Sequence, residues 1–306
     1  MLRAMTLTGI SDEAGAPLDK QIAATKELGW DSIEARFVEV PGFENGSVHE
    51  IPDEAFDAFA EGLEQSGISV SGVGSTIGNW AHSIEDPFEI TEGEIERCIA
   101  RMDRLGAKLV RVMSYAPLKD DDGNFVADQK AEERFRRMRE IKKRFDDAGI
   151  VPVHENCMNY GGMGPGYAME LQDAVPGLKW VFDTGNPVFN RDRNKPEPYP
   201  MQDAWEMWET LRDHTVHVHI KDGVWNDEKD ECDFCMPGDG DGKVVEICQD
   251  LKARGYAGYI SIEPHVAAVF HAEEGEAEDP EAKAKHLYES YVEYGQRMEA
   301  LIAGLD

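Results

Sequence analysis

The stretch AGIVPVHE, residues 148–155, contains the unit from which the fold can be predicted. Gly149 follows an amphipathic segment and is followed at once by a short run of strand-forming residues. Glycine readily takes the left-handed conformation that ends a helix, so the unit is typical of a helix-to-strand junction. The same plan recurs in LGWDSIE (28–34), SGISVSG (66–72), LGAKLVRV (105–112), PGLKWVFD (176–183) and RGYAGYISIE (254–263). Successive glycines are 38, 39, 43, 28 and 78 residues apart, and spacings near 39 residues indicate one βα unit each.

Apolar residues between these junctions repeat with helical periodicity. Phe56, Phe59, Ala60 and Leu63 stand at i, i+3, i+4 and i+7, which is the stripe of a helix packed on one side. Three further stripes have this spacing: Ile95, Cys98, Ile99 and Met102; Met201, Ala204, Trp205 and Trp208; and Val244, Ile247, Cys248 and Leu251. A helix at 165–175 is predicted mainly from its place in the alternation.

Eight strands are expected between these helices. They are predicted near 4–10, 30–36, 68–74, 108–113, 150–155, 179–183, 215–220 and 257–263. Eight alternating units in one chain predict an α/β fold, a single (β/α)8 TIM barrel formed by residues 1–306 as one domain. No Gly-x-Gly-x-x-Gly motif follows the first strand, which disfavours a dinucleotide-binding fold. The longest irregular pieces are predicted at 184–200 and 222–241, where barrels keep active-site loops.

The composition narrows the classes of function. Sixty-one acidic residues against 31 basic ones give a formal net charge of −30, which would repel nucleic acid and anionic membranes. Apolar residues make up 41% of the chain, enough for a sizeable core, and no run has the length of a membrane span. Five scattered cysteines and a first segment unlike a signal peptide indicate a cytoplasmic protein with reduced thiols.

Four successive strands end on side chains that bind metals. They are Glu155, Asp183, His219 and Glu263. One acidic strand end is readily explained as a helix cap or a solvated loop anion, but four at equivalent ends of a barrel would be costly to bury together without a cation. The sequence therefore predicts one shared divalent metal ion. This oxygen-rich set favours Mn²⁺, with Mg²⁺, Co²⁺ and Zn²⁺ as alternatives.

These residues stand in segments that resemble a known family. VHENC, FDTGN, HVHIKD and SIEPH, together with the opening GISDEAG, are similar to the xylose-isomerase-like sugar isomerase/epimerase superfamily. The resemblance covers nearly the whole barrel. It implies a mononuclear metal held by Glu155, Asp183, His219 and Glu263. It also implies that Glu155 and Glu263 act as acid and base, moving a proton beside a carbonyl through an enediolate stabilised by the metal.

Five further residues are candidates for contact with a small sugar or polyol substrate. Arg111, within the fourth strand, is either a substrate clamp or a buried ion-pair partner. Asn186 stands where many ketose epimerases of the superfamily have a histidine. Lys221 and His265 follow two of the metal ligands, and a loop pairing of Lys221 with Asp222 is equally compatible. Glu34 either reaches substrate hydroxyls or pairs with a base such as Arg36.

Several functions fit this pattern. The leading interpretation is a metal-dependent isomerase or epimerase of a small sugar or keto-polyol. A dehydratase of an inosose- or dehydroshikimate-like substrate begins with the same proton abstraction, so the sequence does not separate the two. An AP-endonuclease-like nuclease is disfavoured by the negative charge and by the lack of histidines at the ends of strands three and four. A non-catalytic sugar-binding barrel and the oligomeric state both stay open.

Overall fold

The computed structural model describes residues 5–267 and 279–305. Its strands are β1 (Thr6–Gly9), β2 (Ser32–Ala35), β3 (Phe37–Val40), β4 (Phe43–Ser47), β5 (Ser69–Gly74), β6 (Leu109–Val112), β7 (Val151–Glu155), β8 (Lys179–Asp183), β9 (Thr215–Ile220), β10 (Gly223–Asn226), β11 (Glu231–Phe234) and β12 (Tyr259–Ile262). Eight of these form one parallel sheet in the order β1-β12-β9-β8-β7-β6-β5-β2. They are the eight predicted strands, so the predicted α/β TIM barrel is confirmed.

The barrel closes between β1 and β2. A single parallel bridge joins Ile10 to Glu34 there, whereas the other neighbouring barrel strands are joined by ladders of two to four paired residues. The hydroxyl of Thr8 adds a hydrogen bond of 2.8 Å to the carbonyl of Ser32 across the same seam. The seam between β1 and β2 is therefore held by fewer backbone contacts than the rest of the barrel.

Helices surround the sheet. They are α1 (Leu18–Glu27), α2 (Asp53–Ser66), α3 (Phe88–Leu105), α4 (Ala131–Asp147), α5 (Pro165–Ala174), α6 (Asn186–Phe189), α7 (Ala204–Leu211), α8 (Val244–Ala253) and α9 (Pro280–Ala303). The stripe of α2 is buried along its whole length, as predicted. Gly67 and Gly106 end α2 and α3 in the left-handed conformation, which joins each helix directly to its strand. None of the helices in the described ranges has the length and apolarity of a membrane span.

The two predicted irregular pieces contain short elements. In 222–241 the strands β10 and β11 form an antiparallel hairpin, and 184–200 includes the one-turn helix α6. A second hairpin, β3 with β4, follows β2. Met201 was predicted to belong to a helix, but α7 begins only at Ala204, because Asp203 caps it by accepting a hydrogen bond from the amide of Glu206.

Candidate metal centre

Four side chains meet at the carboxyl end of the barrel. Glu155 ends β7, Asp183 ends β8, His219 lies in β9, and Glu263 directly follows β12. One potential ligand atom of each lies within 4.8 Å of the others, and all four side chains are buried. His219 Nδ1 is 3.0 Å from Glu155 Oε1 and 3.8 Å from Glu263 Oε2. The structure thus brings together the four residues that the strand ends predicted.

Asp183 is held rigidly at the start of α6. Its Oδ1 accepts hydrogen bonds of 2.8 and 2.7 Å from the amides of Gly185 and Asn186. The side chain of Asn156 bonds both backbone groups of Asp183, because its amide oxygen accepts from Asp183 N and its amide nitrogen donates to Asp183 O. Asp183 Oδ2 is buried and has no hydrogen-bond partner among the described residues, so it is the oxygen available to a ligand.

His219 is oriented by a carboxylate behind it. Glu34, on β2, is completely buried, and its oxygens lie 3.0 and 3.1 Å from His219 Nε2. The neighbouring His217 approaches the same carboxylate at 2.7 Å. An ionised carboxylate only accepts, so His219 Nε2 carries a proton and Nδ1 is the nitrogen that faces the cluster. A histidine that donates its second N–H to a carboxylate is typical of metal ligands.

Three cations surround the carboxylates. Lys221 Nζ lies 3.0 Å from Glu263 Oε2 and 3.2 Å from Asp183 Oδ2. Arg111 lies 3.3 Å from Glu155 Oε2, and Arg36 contacts Glu263 Oε1 at 2.7 Å. Lys221 is therefore paired with residues of the cluster, and its carboxylate partners do not include Asp222.

Burial and these cations act in opposite directions on the acids. Burial raises the pKa of Asp183 to about 6, although the Lys221 ammonium opposes this change. Burial also works against ionisation of Glu155 and Glu263, but neighbouring charges and hydrogen bonds together outweigh it, with Arg111 the largest for Glu155 and Lys221 for Glu263, and the pKa of each lies below its ordinary value. Burial opposes a charged His219 as well, yet Glu34 and Glu155 raise its pKa to about 10. A metal binding at Nδ1 must therefore displace a proton.

The residues present fit a divalent ion. Glu155 Oε2 and Asp183 Oδ2 are buried, lie within ion-pair distance of a cation, and yet make no hydrogen bond within the described ranges. Such atoms are rare in folded proteins unless a ligand satisfies them. Three carboxylates and one imidazole suit hard or borderline ions such as Mg²⁺ and Mn²⁺. The cluster could thus hold one divalent metal.

A cavity of about 200 Å³ opens over this cluster. Glu155, Glu263 and four of the five predicted substrate contacts line it: Arg111, Asn186, Lys221 and His265. The fifth, Glu34, lies behind His219 and does not line this cavity. It bonds two histidines and not Arg36, because Arg36 points instead to Asp12, Glu13 and Glu263.

The sequence interpretation missed Arg36 as a residue of the site. Arg36 lines the cavity, and Asp12 and Glu13 of the opening GISDEAG hold its guanidinium. A signal was present, since Arg36 stands just beyond the end of β2, at the carboxyl end where the site lies. Arg36 and Glu263 are 227 residues apart in the sequence, so no local sequence pattern indicates their contact.

Solved structures with this fold cover nearly the whole chain. A xylose isomerase-like TIM barrel protein from Mycobacterium smegmatis in complex with magnesium has a TM-score of 0.64 at 17% identity, with 98% of each chain covered. D-psicose 3-epimerase from Clostridium cellulolyticum H10 with D-tagatose has a TM-score of 0.62 at 17% identity, covering 97% of this chain and 99% of that one. The structure of 3-keto-D-glucoside 4-epimerase from E. coli has a TM-score of 0.58 at 17% identity, with 95% of this chain and 99% of that chain covered.

At these sequence identities, the similarity to the solved structures shows the fold alone. No curated protein matches the sequence. A sequence model described as the xylose isomerase-like TIM barrel matches residues 22–290, and the chain belongs to this family.

Proposed function

We propose that the protein is a divalent-metal-dependent isomerase or epimerase of a small sugar or keto-polyol, with Glu155 and Glu263 as acid and base. One observation carries the proposal. The two glutamates line one cavity but come from β7 and the end of β12, with β8 and β9 between them in the sheet. This separation supports an approach to the substrate from two sides, as the removal and return of a proton on opposite faces requires.

Each residue then has a defined task. Glu155 and Glu263 are ionised in their surroundings, so either can accept the proton beside the substrate carbonyl, and the other, once protonated, returns one. Asn186 is a buried amide whose oxygen and nitrogen both lack partners in the described chain, and we assign it to substrate hydroxyls. Lys221 and Arg111 place positive charge where the enediolate develops negative charge. The metal, when bound, supplies Lewis-acid polarisation of the carbonyl.

Solvent exchange tests the proposal directly. The protein is incubated with Mn²⁺ in deuterated water with a panel of ketoses, inososes and hydroxypyruvate-like acids. We expect deuterium to enter the carbon beside the carbonyl of at least one compound, detected by mass spectrometry and NMR. Loss of water from the recovered compound would identify a dehydratase, which begins with the same step.

Two controls make this test decisive. Protein treated with a chelator should lose the exchange and regain it when the metal is restored. The variant Glu94→Gln changes a carboxylate on α3, buried outside the cavity, and should exchange deuterium like the unaltered protein. Exchange that continues without metal, or in the double variant of Glu155 and Glu263, would contradict the proposed roles.

Metal binding should also stabilise the fold. A ligand at one hundred times its Kd adds about 2.7 kcal/mol to the free energy of unfolding, so we expect Mn²⁺ or Mg²⁺ to raise the Tm by several degrees. The measurement is differential scanning calorimetry at pH 8, where Asp183, with a pKa of about 6, is ionised. The rise should shrink as the pH falls, because a proton competes with the metal for His219 over this whole range, and it should shrink more steeply below pH 6, where protons also compete for the Asp183 carboxylate.

Asp183→Asn is the matched variant for this measurement. Its amide oxygen can still accept from the amides of Gly185 and Asn186, so the variant is expected to fold. It presents no anionic oxygen to the metal and should lose most of the rise in Tm. An unchanged rise in this variant would show that the metal binds elsewhere.

A further inference from the structure

A second cavity adjoins the one over the metal ligands. Its volume is about 530 Å³, and Trp80, Met158 and Phe189 line both cavities. The proposed chemistry uses only the smaller cavity. A molecule whose carbonyl end occupies that cavity can therefore extend past the shared wall into the larger one.

The charge of the larger cavity is opposite to that of the protein. Among the residues that the structure describes, three cations, Lys119, Arg191 and Arg193, line it with one acid, Asp230. In the whole chain, acids outnumber bases by 61 to 31. Asp230 lies 3.5 Å from Arg191 and pairs with it. In the described ranges, Lys119 and Arg193 have no carboxylate within 4.0 Å, so two unpaired positive charges face the cavity.

Arg193 is oriented as a binding group. Its guanidinium carbon lies 3.8 Å from the ring centre of Phe125 and 4.3 Å from that of Tyr199. Contacts with two rings restrain the planar group while leaving its N–H edges free, and within residues 5–267 and 279–305 no acceptor bonds its side chain. Lys119 lies 5.1 Å from the same Phe125 ring. A planar guanidinium with free edges matches the two oxygens of a carboxylate or a phosphate.

We propose that the larger cavity binds an oxyanion group, a carboxylate or a phosphate, at the end of the substrate remote from its carbonyl. Arg193 forms the paired hydrogen bonds, and Lys119 adds the second positive charge. The rings of Trp225 and Phe189 cover the part of the molecule in between. This inference rests on the proposed function for the placement of the carbonyl end, whereas anion binding itself does not depend on turnover.

Binding of three matched probes tests the inference. D-fructose, its terminal phosphate ester and D-fructuronate differ at the carbon farthest from the carbonyl. Isothermal titration into the metal-loaded protein at constant ionic strength should give a Kd at least about tenfold lower for one or both anionic probes than for D-fructose. The stronger of the two identifies the oxyanion as carboxylate or phosphate.

Variants locate the binding. Arg193→Gln should remove the preference for the anionic probes, Arg193→Lys should restore only part of it because ammonium lacks the planar edge, and Lys119→Gln should weaken it. Arg104→Gln is the matched control, because it removes the same charge from a residue that does not line the cavity. Arg104 lies at the C-terminal end of α3, which leads to the amino end of β6. Circular dichroism confirms that each variant is folded.

The outcomes separate this inference from the proposed function. Preference for anionic probes that depends on Arg193 supports the inference even if no probe exchanges deuterium, and the exchange test then decides the function alone. Equal Kd values for the three probes, no binding of any probe, or a preference that survives Arg193→Gln would overturn the inference. Deuterium exchange on neutral ketoses would leave the proposed function standing in each of those cases.

Discussion

Replacing Glu155 or Glu263 by glutamine is expected to reduce turnover about 10²- to 10⁴-fold, the usual contribution of a general acid or base. Both carboxylates line the cavity and are held ionised by neighbouring cations. Glutamine keeps the size and one acceptor oxygen but cannot take up a proton. The measurement is kcat for isomerisation or epimerisation of any substrate that the panel identifies, because solvent exchange alone needs only one of the two bases.

Metal content must be followed in the same variants. Each glutamate is also a candidate ligand, so turnover is compared at metal concentrations that saturate each variant, as judged by titration. Because the two residues act in the same reaction, one removing a proton and the other returning one, the double variant should lose little more activity than the less active single variant. Full turnover by either single variant with the metal bound would refute its role as acid or base.

Asp222→Ala should destabilise the fold by about 3 kcal/mol or more. Asp222 is buried after β9, and its carboxylate accepts four backbone hydrogen bonds. Oδ1 accepts from the amides of Gly223 and Gly242 at 2.9 Å, and Oδ2 accepts from those of Gly238 and Gly240 at 2.8 and 3.1 Å. Without the carboxylate, these amides lose a charged acceptor in a crowded loop.

The loss in the free energy of unfolding is measured by urea denaturation. Metal-free protein is used, because a bound metal would add stability and mask the loss. Asp222→Asn keeps one acceptor oxygen but turns an NH₂ group toward two of the amides, so an intermediate loss is expected. Asp213→Ala removes an exposed aspartate paired with Arg254 and should change the free energy of unfolding by no more than about 0.5 kcal/mol. If Asp222→Ala behaved like Asp213→Ala, the loop would not depend on this anchor.

The barrel strands could be predicted because six of the eight follow a glycine at the end of a helix, and each has a distinctive run of residues. β8 and β9 begin and end at the predicted residues, and the other six lie within the predicted ranges. The hairpins β3–β4 and β10–β11 escaped prediction because their strands are only four or five residues long. In β4 and β11, FENGS and ECDF, most residues are polar, so no alternation of apolar and polar residues marks the strand.

The cluster of acids could be predicted for a different reason. Parallel strands of a barrel deliver their carboxyl ends to one face, so the last residue of a strand locates a side chain without knowledge of contacts. This reasoning places Glu155 and Asp183, which end their strands. It does not tell which way the side chains behind these potential ligands point. Glu34 was expected among substrate contacts and lies behind His219, because the closure of the barrel, and not the sequence of β2, brings these two residues together.

The seam between β1 and β2 has a consequence for metal exchange. Local opening of a protein follows the path that breaks the fewest contacts, and the backbone pairing across this seam is the bridge between Ile10 and Glu34, to which Thr8 adds its hydrogen bond to Ser32. Separation there would also withdraw Glu34 from His219 and release the imidazole from its fixed orientation. We expect entry and release of the proposed metal ion to require this local opening, and a bound ion to slow it.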